Sequence, residues 1–108
     1  LVPSVTRVFR RDQNLYVYLE VYDPAIDPAQ KTPKVTAALT LYQGARKAFE
    51  SNPVQVTRLA PNRPNVLPME FQAPLSKLSG GVYTAQVNVV DDLGGKFAFP
   101  RNTLFVLP

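Results

Sequence analysis

The stretch of sequence that most constrains the fold lies at residues 78–92, LSGGVYTAQVNVVDD, where a glycine-bearing turn leads directly into alternating apolar and polar residues. Tyr83, Ala85, Val87 and Val89 fall on one side, and the three residues between them are polar. Because successive side chains point to opposite faces of a strand, this pattern predicts a strand that is buried on one face and exposed to water on the other.

Proline residues divide the rest of the chain, and nearly all of the 11 prolines stand between short apolar runs. Proline cannot donate a main-chain hydrogen bond to a central strand, and it is excluded from helix interiors. No segment keeps a helical period of apolar residues for three turns, so we predict short strands joined by loops. Besides the strand within residues 78–92, the predicted strands are residues 4–9, 15–22, 35–43, 54–59, 67–73 and 96–99. The last of these continues after Pro100 as residues 102–107. Residues 46–50 form a short separate segment.

The number and spacing of these segments indicate the fold class. About seven short strands, with turn residues every eight to twelve positions, are typical of an all-β, antiparallel sandwich of the immunoglobulin or fibronectin type III kind. A chain of 108 residues suits one domain and buries roughly two-thirds of its unfolded surface, which is sufficient for a core without disulfides. We therefore predict that residues 1–108 form a single immunoglobulin-like β-sandwich domain.

The turn before the strand of residues 78–92 contains a second indication of this fold. In fibronectin-type domains a leucine, a glycine-bearing turn and a tyrosine at the start of the penultimate strand form a tyrosine corner, and residues 78–83, LSGGVY, resemble a version that is one residue shorter. Because one residue of the pattern is missing, the sequence leaves open whether Tyr83 makes the hydrogen bond of such a corner. Tyr83 equally fits the role of an ordinary core aromatic, and the sequence leaves both interpretations open.

The composition removes most routes to catalysis. The chain contains no cysteine and no histidine, so it lacks disulfides, thiolate metal ligands and the side chain that most often acts as a general base. Ser76 and Lys77 cannot form a serine–lysine dyad in an extended chain, because adjacent side chains point apart. No serine sits in a Gly-x-Ser-x-Gly elbow, and there is no glycine-rich phosphate loop. We predict a protein that is not an enzyme, with no catalytic residues and no cofactor.

Four aspartates in predicted loops are the candidates for metal binding. Asp91 and Asp92 precede Leu-Gly-Gly, a combination that a hairpin turn favours for main-chain reasons alone. Asp23 and Asp27 lie in a proline-containing loop, where aspartates can bind calcium, but no Asp-x-Asp or Asp-x-Asn-x-Asp ladder is present. We predict no metal site, and the sequence leaves calcium binding at these four residues undecided.

The charge distribution argues against nucleic acid and membranes as partners. The formal net charge is +4, but the 12 lysines and arginines are scattered along the chain and do not gather on one predicted face. No apolar run approaches the roughly 20 residues that cross a bilayer, and the amino end lacks a basic-then-apolar signal pattern. We predict neither nucleic-acid binding nor membrane insertion.

Tyrosines on the second predicted strand are the leading candidate for a functional surface. Tyr16, Tyr18 and Tyr22 share one face, opposite the apolar residues of the same strand, and Arg10 and Arg11 precede them. One interpretation is that tyrosines favour strands and cover neighbouring strands with their rings. The others are a packing face for a neighbouring domain or another protein, and a binding face for a carbohydrate or peptide.

Two stretches of the chain resemble a bacterial protein family. Residues 5–18, VTRVFRRDQNLYVY, and residues 81–91, GVYTAQVNVVD, are similar to the carboxy-terminal region of bacterial von Willebrand factor A-related proteins, described chiefly from acidobacteria. The resemblance implies a secreted or envelope-associated protein in which an A domain precedes an accessory β-sandwich. The metal-binding motif of the A domain, Asp-x-Ser-x-Ser, occurs nowhere in this chain, so the resemblance assigns no metal ligand to it.

These observations lead to an expectation about the role of the chain. It begins at Leu1 without a methionine, and we expect it to be a mature fragment or a domain excised from a longer exported protein. There it would serve as a structural or protein-interaction module, with carbohydrate or peptide binding by the tyrosines as the alternative. A second hypothesis is self-association through an edge strand at residues 4–9 or 102–107, which Arg7 and Arg10 would oppose by their charge.

Overall fold

The structure, a computed structural model, describes residues 8–108. This part of the chain forms nine β-strands and no helix, so it contains no helix that is long and apolar enough to cross a bilayer. The strands are β1 (Val8–Phe9), β2 (Asn14–Tyr22), β3 (Val35–Gln43), β4 (Arg46–Glu50), β5 (Val54–Val56), β6 (Val66–Pro74), β7 (Gly81–Asp91), β8 (Lys96–Ala98) and β9 (Arg101–Val106). The all-β prediction is confirmed, and residues 4–7 of the first predicted strand lie outside the described residues.

The strands form two sheets. In the seven-stranded sheet the order is β1-β9-β7-β3-β4, with β5 also beside β3 and β8 also beside β7, whereas β2 and β6 form a two-stranded sheet. All pairs are antiparallel except β1 and β9, which are parallel, with Val8 opposite Phe105. The prediction of a wholly antiparallel fold is therefore wrong at this pair. The reason is that β1 joins the seven-stranded sheet beside the last strand and does not pair with its neighbour in sequence, β2.

Two of the long strands each pair with two shorter strands along one of their edges. β4 and β5 both pair with β3, β4 opposite residues 40–43 and β5 opposite residues 35–37. β8 and β9 pair with β7 in one continuous register, interrupted near Pro100, which has no N–H to donate. The described residues therefore contain nine strands where about seven were predicted, and the strand predicted at residues 54–59 is reduced to Val54–Val56.

The position of β9 bears on the self-association hypothesis. β9 lies between β1 and β7, and its residues Phe105 and Val106 pair with β1. Residues 102–107 were predicted as an edge strand, but this end of the strand is already paired on both sides. The other predicted edge, residues 4–9, lies mostly outside the described residues.

Apolar side chains from both sheets meet in one buried cluster. β2 contributes Leu15, Val17 and Leu19, each no more than 1% exposed, in the alternation predicted for residues 15–22. The other strands contribute Phe9, Val35, Ala37, Leu39, Leu41, Leu67, Met69, Phe71, Ala73, Tyr83, Ala85, Val87, Val89, Leu104 and Val106. Burial of each large apolar side chain contributes roughly 1.5–3 kcal/mol, so this cluster is the main source of stability.

The turn before β7 contains a tyrosine corner. The Tyr83 side chain is 1% exposed, and its hydroxyl donates a hydrogen bond to the main-chain carbonyl oxygen of Ser79 over 2.6 Å. Gly81 enters β7 with a φ of 145°, a conformation that residues with a side chain rarely adopt. Tyr83 therefore fills both roles that the sequence left open, since it is a corner residue and a core aromatic at once.

Candidate functional site

β2 presents three tyrosines on the outer face of the two-stranded sheet, and we call Tyr16, Tyr18 and Tyr22 the tyrosine face. Tyr16 is 54% exposed, and Tyr18 and Tyr22 are each 40% exposed. The residues that alternate with Tyr16 and Tyr18 lie in the core, so the direction of these rings follows from the burial of the other side of the strand. All three rings keep a large part of their surface in water, where a partner can reach it.

Glu20 lies between Tyr18 and Tyr22 on the same face and binds both. The Tyr18 hydroxyl donates to Glu20 Oε2 over 3.0 Å, and the Tyr22 hydroxyl donates to Glu20 Oε1 over 2.7 Å. Residues two apart on a strand point the same way, which brings a carboxylate with two acceptor oxygens between two hydroxyl donors. The two exposed rings are therefore held in place by their own strand.

A third contact to Glu20 comes from the loop between β5 and β6. Arg63 Nη1 lies 2.5 Å from Glu20 Oε2, and the guanidinium carbon lies 6.0 Å from the centre of the Tyr22 ring, within the range of a cation–π contact. The loop is held by main-chain bonds in which the Arg63 amide donates to Ala60 and the Val66 amide donates to Arg63. Arg63 thus neutralises Glu20 and extends the tyrosine face beyond β2.

These contacts change the protonation behaviour of the cluster. The hydrogen bond from Tyr22 is the largest contribution that lowers the pKa of Glu20 below its ordinary value, and the bonds from Tyr18 and Arg63 add to it. The hydrogen bond to Glu20 also raises the pKa of Tyr18 and the pKa of Arg63. At neutral pH the cluster therefore holds one paired carboxylate and guanidinium beside the protonated hydroxyl of Tyr18.

Sequence reasoning missed the role of Glu20 and did not find Arg63. The sequence places Glu20 on the same side of β2 as the tyrosines. Its hydrogen bonds, however, depend on the positions of the Tyr18 and Tyr22 hydroxyls, which the sequence does not give. Arg63 is 43 positions away from Glu20, in a stretch that the sequence identified as a loop from its prolines. No local pattern connects residues that far apart, so this pair carries no signal in a single sequence.

The two arginines predicted to lie beside the tyrosines belong to the turn between β1 and β2. Arg10 Nε lies 3.1 Å from Asp12 Oδ1, and the Arg10 amide donates to Gln13 Oε1 over 2.7 Å. Arg11 is exposed in the same turn. The guanidinium of Arg63, from a different loop, lies over the ring of Tyr22, and the role predicted for Arg10 and Arg11 stays a prediction.

Asp91 serves to join two loops. It is 8% exposed, its Oδ2 accepts the Ala25 amide over 2.9 Å, and its Oδ1 accepts the Gly94 amide over 3.0 Å. Both carboxylate oxygens are therefore occupied by main-chain donors from the β2–β3 loop and the β7–β8 turn. This is the main-chain role that the sequence suggested for the Asp91-Asp92 pair.

The other loop aspartates also take part in turns. Asp27 Oδ1 accepts two amides of the turn that follows it, over 2.8 and 3.2 Å. The Thr36 hydroxyl donates to Asp92 Oδ2 over 2.5 Å, and Asp23 adopts a φ of 52° at the start of its loop. In the part of the chain that the structure describes, there is no group of three or more acidic side chains arranged to hold a metal ion.

The outer face of the seven-stranded sheet carries a second group of exposed aromatics, which the sequence analysis did not single out. Phe97, Phe99 and Phe105 are 69%, 50% and 48% exposed. The rings of Phe97 and Phe99 lie 5.5 Å apart at an angle of 36°. A signal was present, since phenylalanine alternates in the KFAF run at residues 96–99, but Pro100 interrupts the pattern.

Comparison with models of known protein families gives no match to this chain, and comparison with curated protein sequences gives none either.

Proposed function

We propose that this chain is an immunoglobulin- or fibronectin-like β-sandwich that acts as a non-catalytic protein-interaction module. The strand order supports the fold, because β1, β9, β7 and β3 lie side by side in one sheet and β2 and β6 form the other. The corner bond between Tyr83 and Ser79 supports the same assignment. The absence of histidine and cysteine from the chain supports a role without catalysis.

The observation that carries the interaction role is the fixed geometry of the tyrosine face. An exposed side chain that moves freely loses conformational entropy when a partner binds it, which reduces affinity. Glu20 holds the hydroxyls of Tyr18 and Tyr22 before any partner binds. These two side chains therefore lose less conformational entropy on binding. Tyrosine and arginine are also the residue types enriched at the energetically dominant positions of protein interfaces.

A protein partner suits this face better than a sugar does. Glu20 already accepts hydrogen bonds from Tyr18, Tyr22 and Arg63, so it has little capacity left for sugar hydroxyls. With their hydroxyls engaged, Tyr18 and Tyr22 offer mainly ring surface, which packs against apolar and aromatic side chains and lacks free polar groups to bind sugar hydroxyls. Carbohydrate or peptide binding by the same face is the second candidate, and it is favoured by Tyr16, the most exposed of the three rings.

The partner in this proposal is a neighbouring domain of the same chain or another protein. The resemblance of residues 5–18 and 81–91 to von Willebrand factor A-related proteins supports a secreted or envelope-associated parent protein. In such a protein the tyrosine face would stabilise or present an adjacent A domain, or join it to a second protein.

Affinity capture tests the interaction role. The purified chain is immobilised and exposed to an envelope extract of the producing organism, next to a Tyr16→Ser/Tyr18→Ser variant. Phe97→Ser is the matched control, because it removes an exposed aromatic from the opposite sheet. We expect the wild type and Phe97→Ser to retain the same protein and the double tyrosine variant to lose it.

Two results would overturn this proposal. One is equal retention by the wild type and the tyrosine variant, which would mean that the captured protein binds elsewhere. The other is selective binding to a neutral glycan array that disappears in the tyrosine variant, which would replace the protein partner by a carbohydrate.

A further inference from the structure

Two adjoining clefts lie on the outer face of the seven-stranded sheet, on the side of the core opposite the tyrosine face. Their volumes are about 320 Å³ and about 410 Å³, and they share Thr84 and Arg101. The other lining residues are Tyr42, Gly44, Ala45, Gln86, Asn102 and Thr103. We call this combined cleft the Arg101 groove.

The register of the strands explains why these side chains lie together. Thr84 of β7 is opposite Tyr42 of β3 on one side and opposite Thr103 of β9 on the other. Gln86, the next residue on the same face of β7, is opposite Arg101. Side chains directly opposite each other in antiparallel strands have Cβ atoms about 4.5–5.5 Å apart, so these five form a continuous polar surface.

The groove carries one charge. Among its described lining residues Arg101 is the single ionisable side chain besides Tyr42, and none is a carboxylate. The ion pairs found within residues 8–108 involve other cations and leave Arg101 without an acidic partner there. A guanidinium in this setting presents a planar pair of N–H donors that matches a carboxylate of a ligand.

The neutral groups of the groove match a polyhydroxylated ligand. The hydroxyls of Thr84 and Thr103 can each donate and accept, as sugar hydroxyls require. Gln86 Nε2 donates to Asn88 Oδ1 over 2.7 Å, which fixes the amide of Gln86. Tyr42 adds a half-buried ring on which the apolar face of a sugar ring can lie.

We propose that the Arg101 groove binds an acidic saccharide, in which Arg101 holds the carboxylate of a uronic acid unit. Tyr42 packs against the sugar ring, and Thr84, Gln86 and Thr103 bind its hydroxyls. An acidic peptide would use Arg101 as well, but it offers only one N–H and one C=O per residue to the row of hydroxyl and amide groups, whereas each sugar unit offers several hydroxyls. The groove lies on a different sheet from the tyrosine face. An experiment that disproves binding at one of these sites therefore leaves the proposal for the other unaffected.

Titration with a defined oligosaccharide tests this proposal. Tetragalacturonate is added to the ¹⁵N-labelled protein while main-chain amide shifts are followed by NMR, with neutral cellotetraose in a parallel titration. We expect the shifts to concentrate at Tyr42, Thr84, Gln86 and Arg101, and cellotetraose to bind at least about tenfold more weakly.

Two matched variants distinguish specific binding in the groove from non-specific electrostatic attraction to the protein. Arg101→Gln keeps hydrogen-bonding capacity and removes the charge, and it should weaken tetragalacturonate binding about tenfold or more. Arg58→Gln makes the same change at an exposed arginine outside the groove and should leave the affinity unchanged.

Several results would overturn the acidic-saccharide site. These are no shift at any accessible concentration of tetragalacturonate, equal binding of cellotetraose, or an equal loss of affinity in Arg58→Gln and Arg101→Gln. Binding of tetraglutamate as tightly as tetragalacturonate would show that the groove recognises carboxylates on any chain, which also contradicts selection for a sugar.

Discussion

The hydroxyl of Tyr83 donates to the carbonyl oxygen of Ser79 over 2.6 Å, from a ring that is only 1% exposed. This bond ties the turn before β7 to the core. Tyr83→Phe should therefore lower the free energy of unfolding by about 1 kcal/mol, the usual net contribution of one hydrogen bond. Urea denaturation measures this loss. Tyr16→Phe removes a hydroxyl from an exposed ring and should change stability by less than about 0.5 kcal/mol, so equal effects in the two variants would contradict a stabilising corner.

Thr40 should tolerate the loss of its hydroxyl. The residue is 1% exposed, and its Oγ1 has no hydrogen-bond partner in the described part of the chain. Thr40→Val keeps the shape of the side chain and removes an unsatisfied oxygen, so the free energy of unfolding should stay the same or rise by up to about 1 kcal/mol. Thermal and urea unfolding of the variant measure this change.

Ser51→Ala is the matched control for Thr40→Val. Ser51 Oγ accepts the Leu39 amide over 2.9 Å, so removing it leaves a strand amide without its partner. This variant should lose about 1 kcal/mol. A loss of that size in Thr40→Val as well would mean that the Thr40 hydroxyl has a partner in solution.

Asp91 should contribute to stability through the two amides that it binds. Asp91→Ala leaves the amides of Ala25 and Gly94 without their acceptors, and it should destabilise the protein by about 2 kcal/mol. Asp12→Ala is the control, because that side chain is 73% exposed and its ion pair with Arg10 is worth little. Equal stability of the two variants would show that the Asp91 contacts contribute nothing.

The Glu20 cluster predicts the direction of a pH effect. The pKa of Glu20 lies below its ordinary value of 4.5, chiefly because of the hydrogen bond from Tyr22. A carboxylate whose pKa is lowered in the folded state stabilises the fold above its unfolded pKa, and this stabilisation is lost as the pH falls through the folded pKa. Tyr22→Phe should therefore bring the pKa of Glu20 back toward 4.5 and reduce the loss of stability below that pH. Carboxyl ¹³C shifts during an acid titration measure the pKa, and an unchanged value in Tyr22→Phe would contradict the assignment.

The faces of the long strands were predictable because alternation is a local property. Leu15, Val17 and Leu19 are buried while Tyr16 and Tyr18 between them are exposed, as the period of two in the sequence indicates. In β7 the predicted inner face is also the buried one, but Gln86 on the face predicted to be exposed to water is only 9% exposed. A strand packed on one side must show this pattern, whatever its partners are.

The pairing of distant segments was not predictable in the same way. Within the described residues β1 covers Val8–Phe9 and pairs with β9 near the other end of the chain, and no local pattern in either strand identifies its partner. The contact of Arg63 with Glu20 likewise depends on a loop that approaches β2 only after the sheets have packed. The Arg101 groove has the same origin, since its side chains come from three strands that the register brings together.

The most direct test of whether the tyrosine face contacts another protein is photo-crosslinking in intact cells of the producing organism. The reactive side chain replaces Tyr16 as Tyr16→p-benzoylphenylalanine, and the same replacement at Val90, which is 38% exposed on the opposite sheet, is the control. We expect irradiation to give a discrete crosslinked protein from position 16 and none from position 90. Crosslinks from position 90 alone, or none from position 16, would contradict a protein-binding role for this face.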